Sequence, residues 1–113
     1  MKKIKNESGE IVGEKIKLAD GFIDRLMGLM FQRSWSEFDA LWIFPCNSIH
    51  TFFMLENIDV IFINKEMKIV KIIRHMGPWR MTWVYFKAYS VIELKAGTLS
   101  ENIKEGQLLR EYV

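Results

Sequence analysis

The chain has 113 residues, of which 50% are hydrophobic and 27% charged, and its formal net charge is +2. This composition excludes a disordered chain, and no apolar run approaches the roughly 20 residues that a membrane-spanning helix needs. We therefore expect one domain over residues 1–113, with a single hydrophobic core.

The first part of the chain predicts one strand and one helix. Residues 11–18 alternate loosely between apolar and polar side chains, which predicts a half-buried strand with Val12, Ile16 and Leu18 on one face. Apolar residues then recur at steps of three and four, which predicts a short capped helix over 20–33.

Beyond the helix the pattern is predominantly β. Residues 64–67 are predicted to form the turn of an antiparallel hairpin. Short apolar or alternating runs predict strands over 40–44, 49–54, 59–63, 68–73, 90–94 and 107–113. These elements favour a mostly β fold, all-β with one short helix, built as a small barrel-like β-sandwich.

The predicted core is one cluster that joins the helix to the sheet. Its members are Leu26, Met30, Leu41, Ile43, Phe53, Val60, Phe62, Ile72, Ile92 and Leu94.

Six motifs occur in an order that resembles a known family. They are Gly28-Leu29-Met30 with Arg33, His50 to Met54, Ile58 to Ile63, Pro78-Trp79-Arg80, Glu93-Leu94 with Ala96-Gly97-Thr98, and Gly106. Over residues 15–113 the chain resembles domain-of-unknown-function family 192. The resemblance implies a compact barrel-like sandwich with the helix across one side, and it implies no agreed activity, cofactor or catalytic residue.

Cys46 and His50 are the first candidates for chemistry. In a strand their Cα atoms would lie about 13 Å apart, too far for a hydrogen bond between a nucleophile and its base. Free cysteine is also among the most buried residue types. The sequence therefore predicts that Cys46 is structural.

Asp59 is a carboxylate at the start of an apolar run. If its side chain is buried it needs a partner, and Arg25 or Arg80 would be the strong ones. We expect a structural ion pair or a strand-end cap here.

Metal sites have weaker support in the sequence. Cys46, His50, Met54 and His75 include the donor types of a blue-copper site, but His75 lies in a predicted loop. The chain has no CxxC or HExxH spacing for zinc. We predict neither a metal nor a cofactor.

The segment 74–87 mixes cationic and aromatic residues. Such a mixture can bind single-stranded nucleic acid, an acidic ring-bearing ligand or a peptide. The sequence pI of about 8.7 is only slightly basic, which disfavours nucleic acid. The expected partner is a small molecule or a peptide.

Two functional hypotheses follow. The favoured one is a non-enzymatic binding or accessory module with a small pocket. The pocket is predicted to be rimmed by His50, Thr51, Asp59, Trp79 and Arg80. The alternative is a small hydrolase or transferase that uses Cys46 or His50 with Asp59.

Location and assembly are expected to be simple. The charged N-terminal residues run into no hydrophobic stretch, and one cysteine cannot form an intrachain disulfide. We expect a cytoplasmic protein that is a monomer or a weak dimer.

Overall fold

The computed structural model of the chain describes residues 1–20, 37–52 and 54–113. Within these residues the structure has seven strands and no helix. The described part of the chain therefore contains no helix that could cross a membrane. The strands are β1 Lys2–Asn6, β2 Ile11–Asp20, β3 Ala40–Phe44, β4 Ile58–Ile63, β5 Ile69–Met76, β6 Ser90–Lys95 and β7 Leu109–Glu111. The predicted helix over 20–33 lies outside the described residues, except for residue 20, which ends β2.

The seven strands form one curled sheet in the order β5-β4-β6-β3-β2-β1-β7. Neighbouring strands are antiparallel except for the parallel pair β2 and β3. The two edges meet at one end, where Lys68 bridges Leu108 and the Ile69 N–H donates to the Gln107 carbonyl at 2.9 Å. The predicted mostly β, barrel-like fold class is confirmed.

The inside of the curl is a hydrophobic cluster to which all seven strands contribute. Its buried members are Ile4, Val12, Ile16, Ala40, Ile61, Ile63, Ile69, Ile92, Leu94, Leu99, Ile103 and Leu109. Leu99 and Ile103 come from the loop between β6 and β7. Arg74 holds this loop, because its guanidinium donates to the carbonyls of Leu99, Ser100 and Ile103 at 2.9, 2.9 and 3.1 Å.

Strand β4 is buried on both of its faces. Ile61 and Ile63 belong to the inner cluster, whereas Ile58, Val60 and Phe62 belong to a second cluster on the outer face. The prediction of one core cluster is therefore wrong, because successive side chains of a strand point to opposite faces of the sheet.

Most predicted core residues are nevertheless buried. Leu41, Ile43, Val60, Phe62, Ile92 and Leu94 are buried and Ile72 is half-buried, while Leu26, Met30 and Phe53 lie outside the described residues. The predicted inward face of β2 is partly wrong, since Leu18 is 39% exposed. The register shifts between β1 and β2 lie between Ile11 and Ile16 and do not extend to Leu18, which is near the end of β2.

The structure differs from the prediction in three further elements. The strand over 49–54 does not form: His50 makes only an isolated bridge to Met81, and the segment is otherwise irregular where it is described. Strand β1 was not predicted, because Ile4 is its only apolar residue and the pattern of one apolar residue among lysines carries no periodicity. Strand β7 is shorter than the predicted 107–113.

Replacing Phe62 tests the outer cluster. Its side chain is fully buried and its ring centroid lies 4.6 Å from that of Tyr85. Phe62→Ala should lower the free energy of unfolding by about 3 to 5 kcal/mol in urea denaturation, because a large cavity remains. Phe86→Ala is the matched control, since Phe86 is 89% exposed, and should change it by about 0.5 kcal/mol or less. A loss below about 1 kcal/mol for Phe62→Ala would contradict the burial of Phe62 in the outer cluster.

Candidate functional site

Two loops cover the outer face of the sheet. We name residues 45–57 the first cover loop and residues 77–89 the second cover loop. They lie side by side and run in opposite directions. Backbone hydrogen bonds of 2.8 to 2.9 Å join them at the pairs Cys46–Tyr89, Asn47–Tyr85, Ile49–Thr82 and Thr51–Arg80. Ile49, Met54 and Ala88 pack from these loops into the outer cluster.

Thr51 is the main tether between the two cover loops. Its side chain is fully buried, and Oγ1 donates to the Gly77 carbonyl at 2.6 Å and accepts from the Arg80 N–H at 2.9 Å. The Thr51 carbonyl accepts from the Trp79 N–H at 3.0 Å. Thr51 therefore fixes the Gly77 to Arg80 turn and is itself shielded from any ligand.

Trp79 sits at the tip of this turn with φ of 60°, in the left-handed region. For a residue other than glycine this left-handed conformation costs about 1 to 3 kcal/mol, so it persists only where the surrounding structure imposes it. Here the Thr51 hydrogen bonds impose it, and the Phe52 ring stacks on Trp79 with centroids 5.9 Å apart. The turn thus presents Trp79 to solvent in a fixed position.

The second cover loop carries a row of exposed apolar side chains, which we name the aromatic strip. It consists of Trp79, Met81, Trp83, Val84 and Phe86, which are 62%, 70%, 83%, 46% and 89% exposed. Arg80 lies between Trp79 and Met81, Lys87 follows Phe86, and both are exposed as well. Because residues 67–92 contain no Asp or Glu, the charge along this strip is positive.

His50 lies beside the strip. It is half-buried, its ring centroid is 4.8 Å from that of Phe52, and its backbone bridges Met81. Its Nδ1 is buried, with no hydrogen-bond partner among the residues that the structure describes. His50, Phe52 and Trp79 thus form a continuous row of rings.

Asp59 occupies a different environment from the other predicted rim residues. It is 1% exposed, and its carboxylate oxygens accept from the N–H groups of His75, Gly97 and Leu99 at 2.8, 3.1 and 3.4 Å. The carboxylate is therefore a cap for backbone groups, not the partner of Arg80, and Arg25 lies outside the described residues. It ties the start of β4 to the end of β5 and to the loop after β6.

Cys46 is placed by packing. It is half-buried, its thiol donates to the Ser48 carbonyl at 3.0 Å, and it contacts both the outer cluster and a third cluster. That third cluster contains Ala19, Phe38, Leu41 and Ile43. Across the described residues, no three His, Cys, Asp or Glu side chains are grouped so that they could hold a metal ion.

The structure thus separates the five predicted rim residues. Trp79 and Arg80 are exposed and His50 is half-buried beside them, whereas Thr51 and Asp59 are buried with their polar groups hydrogen-bonded. Phe52, Trp83 and Phe86 were not singled out from the sequence. For Trp83 and Phe86 the available signal was the aromatic content of segment 74–87, which does not tell a buried ring from an exposed one, and Phe52 lies outside that segment.

Comparison with known proteins identifies the family. Residues 3–110 match the model of the family DUF192, described as "Uncharacterized ACR", and the chain belongs to this family. The UPF0127 protein of Pyrococcus horikoshii is 38% identical over 107 residues, covering 89% of this chain and 90% of its own. The Thermococcus sibiricus UPF0127 protein is 33% identical over 85% of this chain, which corresponds to 64% of its length.

Two solved structures share the fold. A proposed transcription regulator from Sinorhizobium meliloti has a TM-score of 0.79 and 20% identity, covering 97% of this chain and 91% of that one. A protein of unknown function from Novosphingobium aromaticivorans has a TM-score of 0.75 and 18% identity, with coverage of 96% and 82%. At these identities the likeness concerns the fold alone.

Asp59→Asn tests whether the carboxylate belongs to the structural frame. The new amide would turn an NH₂ group towards backbone N–H donors, so the unfolding free energy should fall by about 1 to 3 kcal/mol. Amide hydrogen exchange at Gly97 should accelerate in the same variant. Glu66→Gln, on an exposed turn, is the control and should change neither quantity. Unchanged stability of Asp59→Asn would contradict the structural role.

Alkylation tests the packing role of Cys46. Iodoacetamide at pH 7 should modify the native thiol much more slowly than the thiol of the urea-unfolded chain, as followed by mass spectrometry. The reason is that the thiol is half-buried and donates to the Ser48 carbonyl. Rapid modification of the folded protein would instead indicate an accessible thiolate and support the enzyme alternative.

Proposed function

We propose that this protein is a non-enzymatic binding module that holds a peptide segment of a partner on the aromatic strip. The observation that carries the proposal is the exposure of Trp79, Trp83 and Phe86, at 62%, 83% and 89%, on one loop. Clustered exposed apolar side chains mark interaction sites, and aromatic residues and arginine dominate the binding energy of interfaces.

The fixed geometry of the loop supports the same proposal. The second cover loop is hydrogen-bonded to the first at several backbone positions, and Thr51 holds the turn that carries Trp79. A surface that is already ordered loses little conformational entropy when a partner binds. The strained Trp79 backbone is of the kind that clusters at functional sites.

The charge of the strip indicates the chemistry of the partner. Arg80 and Lys87 lie among the apolar side chains, and residues 67–92 contain no carboxylate. An extended peptide that combines apolar side chains with Asp or Glu is complementary to both features. The strip follows one loop, which suits an extended peptide better than a compact small molecule.

The five residues predicted from the sequence to bind the ligand therefore have two different roles in this proposal. We propose that Trp79 and Arg80 contact the partner and that His50 lies at the edge of the contact. Thr51 and Asp59 take positioning roles in this proposal, since their polar groups are hydrogen-bonded within the protein.

The hydrolase or transferase alternative has less support. It requires Asp59 to orient or assist Cys46 or His50. Both Asp59 oxygens instead accept hydrogen bonds from backbone N–H groups, and the Cys46 thiol donates to a carbonyl. We therefore propose a binding role and no reaction.

We also infer that the protein acts in the cytoplasm, as a monomer or a weak dimer. The chain has a single cysteine, which cannot form an intrachain disulfide, and this agrees with a reducing compartment. The modest positive charge supports a protein partner over nucleic acid, which usually requires a strongly basic surface.

Peptide selection tests the proposal. The immobilised protein is presented with a random peptide display library, and selected peptides are synthesised and titrated by calorimetry. We expect them to combine aromatic or aliphatic residues with Asp or Glu. Trp83→Ser and Phe86→Ser should each weaken binding about tenfold or more, as hot-spot truncations do. Leu108→Ser is the matched control, because Leu108 is 43% exposed outside both cover loops, and should leave the affinity unchanged.

Three outcomes would overturn the peptide proposal. In the first, no peptide is selected whose binding depends on Trp83 or Phe86. In the second, the same two substitutions abolish retention on phosphatidylglycerol vesicles and have no effect on peptides, which identifies a lipid surface. In the third, they abolish binding to single-stranded oligonucleotides and have no effect on peptides.

A further inference from the structure

A second surface lies at one end of the curled sheet and includes no residue of the aromatic strip. The strands β2, β3 and β7 end there, and β1 and β6 begin there. An open cavity of about 250 Å³ occupies this mouth. Its apolar lining is formed by Leu18, Trp42, Phe44, Met67 and Tyr89.

The floor of the cavity is an ordered pair of aromatic rings. Trp42 and Phe44 are two residues apart on β3 and pack edge to face, with centroids 6.2 Å apart and an interplanar angle of 65°. The Trp42 Nε1 donates to the Ser90 hydroxyl at 3.0 Å, which fixes the orientation of the indole. A flat ligand ring would therefore meet a preformed apolar surface.

The mouth is left open to solvent although its lining is apolar. Leu18 and Tyr89 are 39% and 40% exposed there. Burial of Leu18 was predicted from the alternation of β2, so its exposure is not explained by the sheet alone. Small-molecule sites are preferentially found in the mouths of β-barrels, where apolar walls combine with a few polar groups.

The rim of the cavity favours an anion. Lys2 and Lys65 line it together with one acid, Glu111. Lys2 is already paired, since its Nζ lies 3.5 Å from a Glu111 carboxylate oxygen. Lys65 lies with its Nζ 5.4 Å from the centroid of the Tyr89 ring. Its charge is therefore the surplus positive charge at the mouth.

We propose that this mouth binds a small aromatic carboxylate. The ring lies against Trp42 and Phe44, and the carboxylate faces Lys65. The size fits, because an apolar cavity of about 150 Å³ is sufficient for benzene. The remaining volume accommodates a short acidic arm. This site shares no contact residue with the aromatic strip and does not depend on the peptide proposal.

Calorimetric titration with phenylacetate and with the neutral phenylacetamide tests the site. Both probes carry the ring, but only phenylacetate carries the charge. We expect phenylacetate to bind about fivefold more tightly, the contribution of an exposed ion pair. Lys65→Gln should abolish that difference, while Lys68→Gln, an exposed lysine outside the cavity, should preserve it.

Two further measurements locate the site. Leu18→Glu places a carboxylate at the mouth and should eliminate phenylacetate binding, with thermal unfolding used to verify that the variant is folded. NMR shifts caused by phenylacetate should fall on Met67 and Tyr89. No binding of either probe at 10 mM, equal affinities for the two probes, or shifts confined to the aromatic strip would each overturn the proposal.

Discussion

The burial of strand β4 on both faces is the constraint on which the rest of this molecule depends. Its inner side chains complete the cluster inside the curled sheet, so their burial follows from the curl itself. Its outer residues Ile58, Val60 and Phe62 would face water unless something covered them, and each such side chain gains about 1.5 to 3 kcal/mol on burial. The chain therefore needs cover on that side, and the two cover loops provide it.

Covering the outer cluster explains the buried side chains of these loops but not their exposed ones. Ile49, Met54 and Ala88 face the outer cluster, and they are the residues whose burial stabilises the arrangement. Trp83 and Phe86 belong to the same loops but remain 83% and 89% exposed, so they contribute little to the core. Large exposed rings favour self-association and are not needed to hold the loop, whose position is fixed by backbone hydrogen bonds. Packing of the core therefore does not account for these two exposed rings, which is why our proposal assigns them to binding.

The sequence predicted the parts of the fold that depend on local pattern. Strands 40–44, 59–63 and 90–94 were found because β-branched and apolar residues concentrate in them. The segment 49–54 has a similar composition but does not form a strand, since its backbone hydrogen bonds go to the turn and loop over 79–82 and give only an isolated bridge between His50 and Met81. The role of Asp59 was only partly predicted. Among side chains, arginine is the expected partner of a buried carboxylate, but the actual partners are backbone N–H groups, which the sequence does not distinguish from one another.

Several polar side chains hydrogen-bond to the backbone of turns, strands and loops. Asn6 accepts from the N–H groups of Ser8 and Glu10, and Asn64 does the same for Glu66 and Lys68. Asp39 accepts from the N–H groups of residues 14 and 15 on β2, and Asp59 accepts from Gly97 in the loop after β6. The Arg74 guanidinium donates to three carbonyls of that same loop.

A group held in this way is a poor acid, base or nucleophile, because its lone pairs or protons are already used in the folded state. The surfaces that remain open at the cover loops and at the mouth of the sheet are rich in aromatic side chains with a few lysines and arginines. Such surfaces gain free energy by removing apolar area from water, while the cations select for negatively charged partners. This distribution of side chains in the described residues is the basis on which we propose recognition and not catalysis.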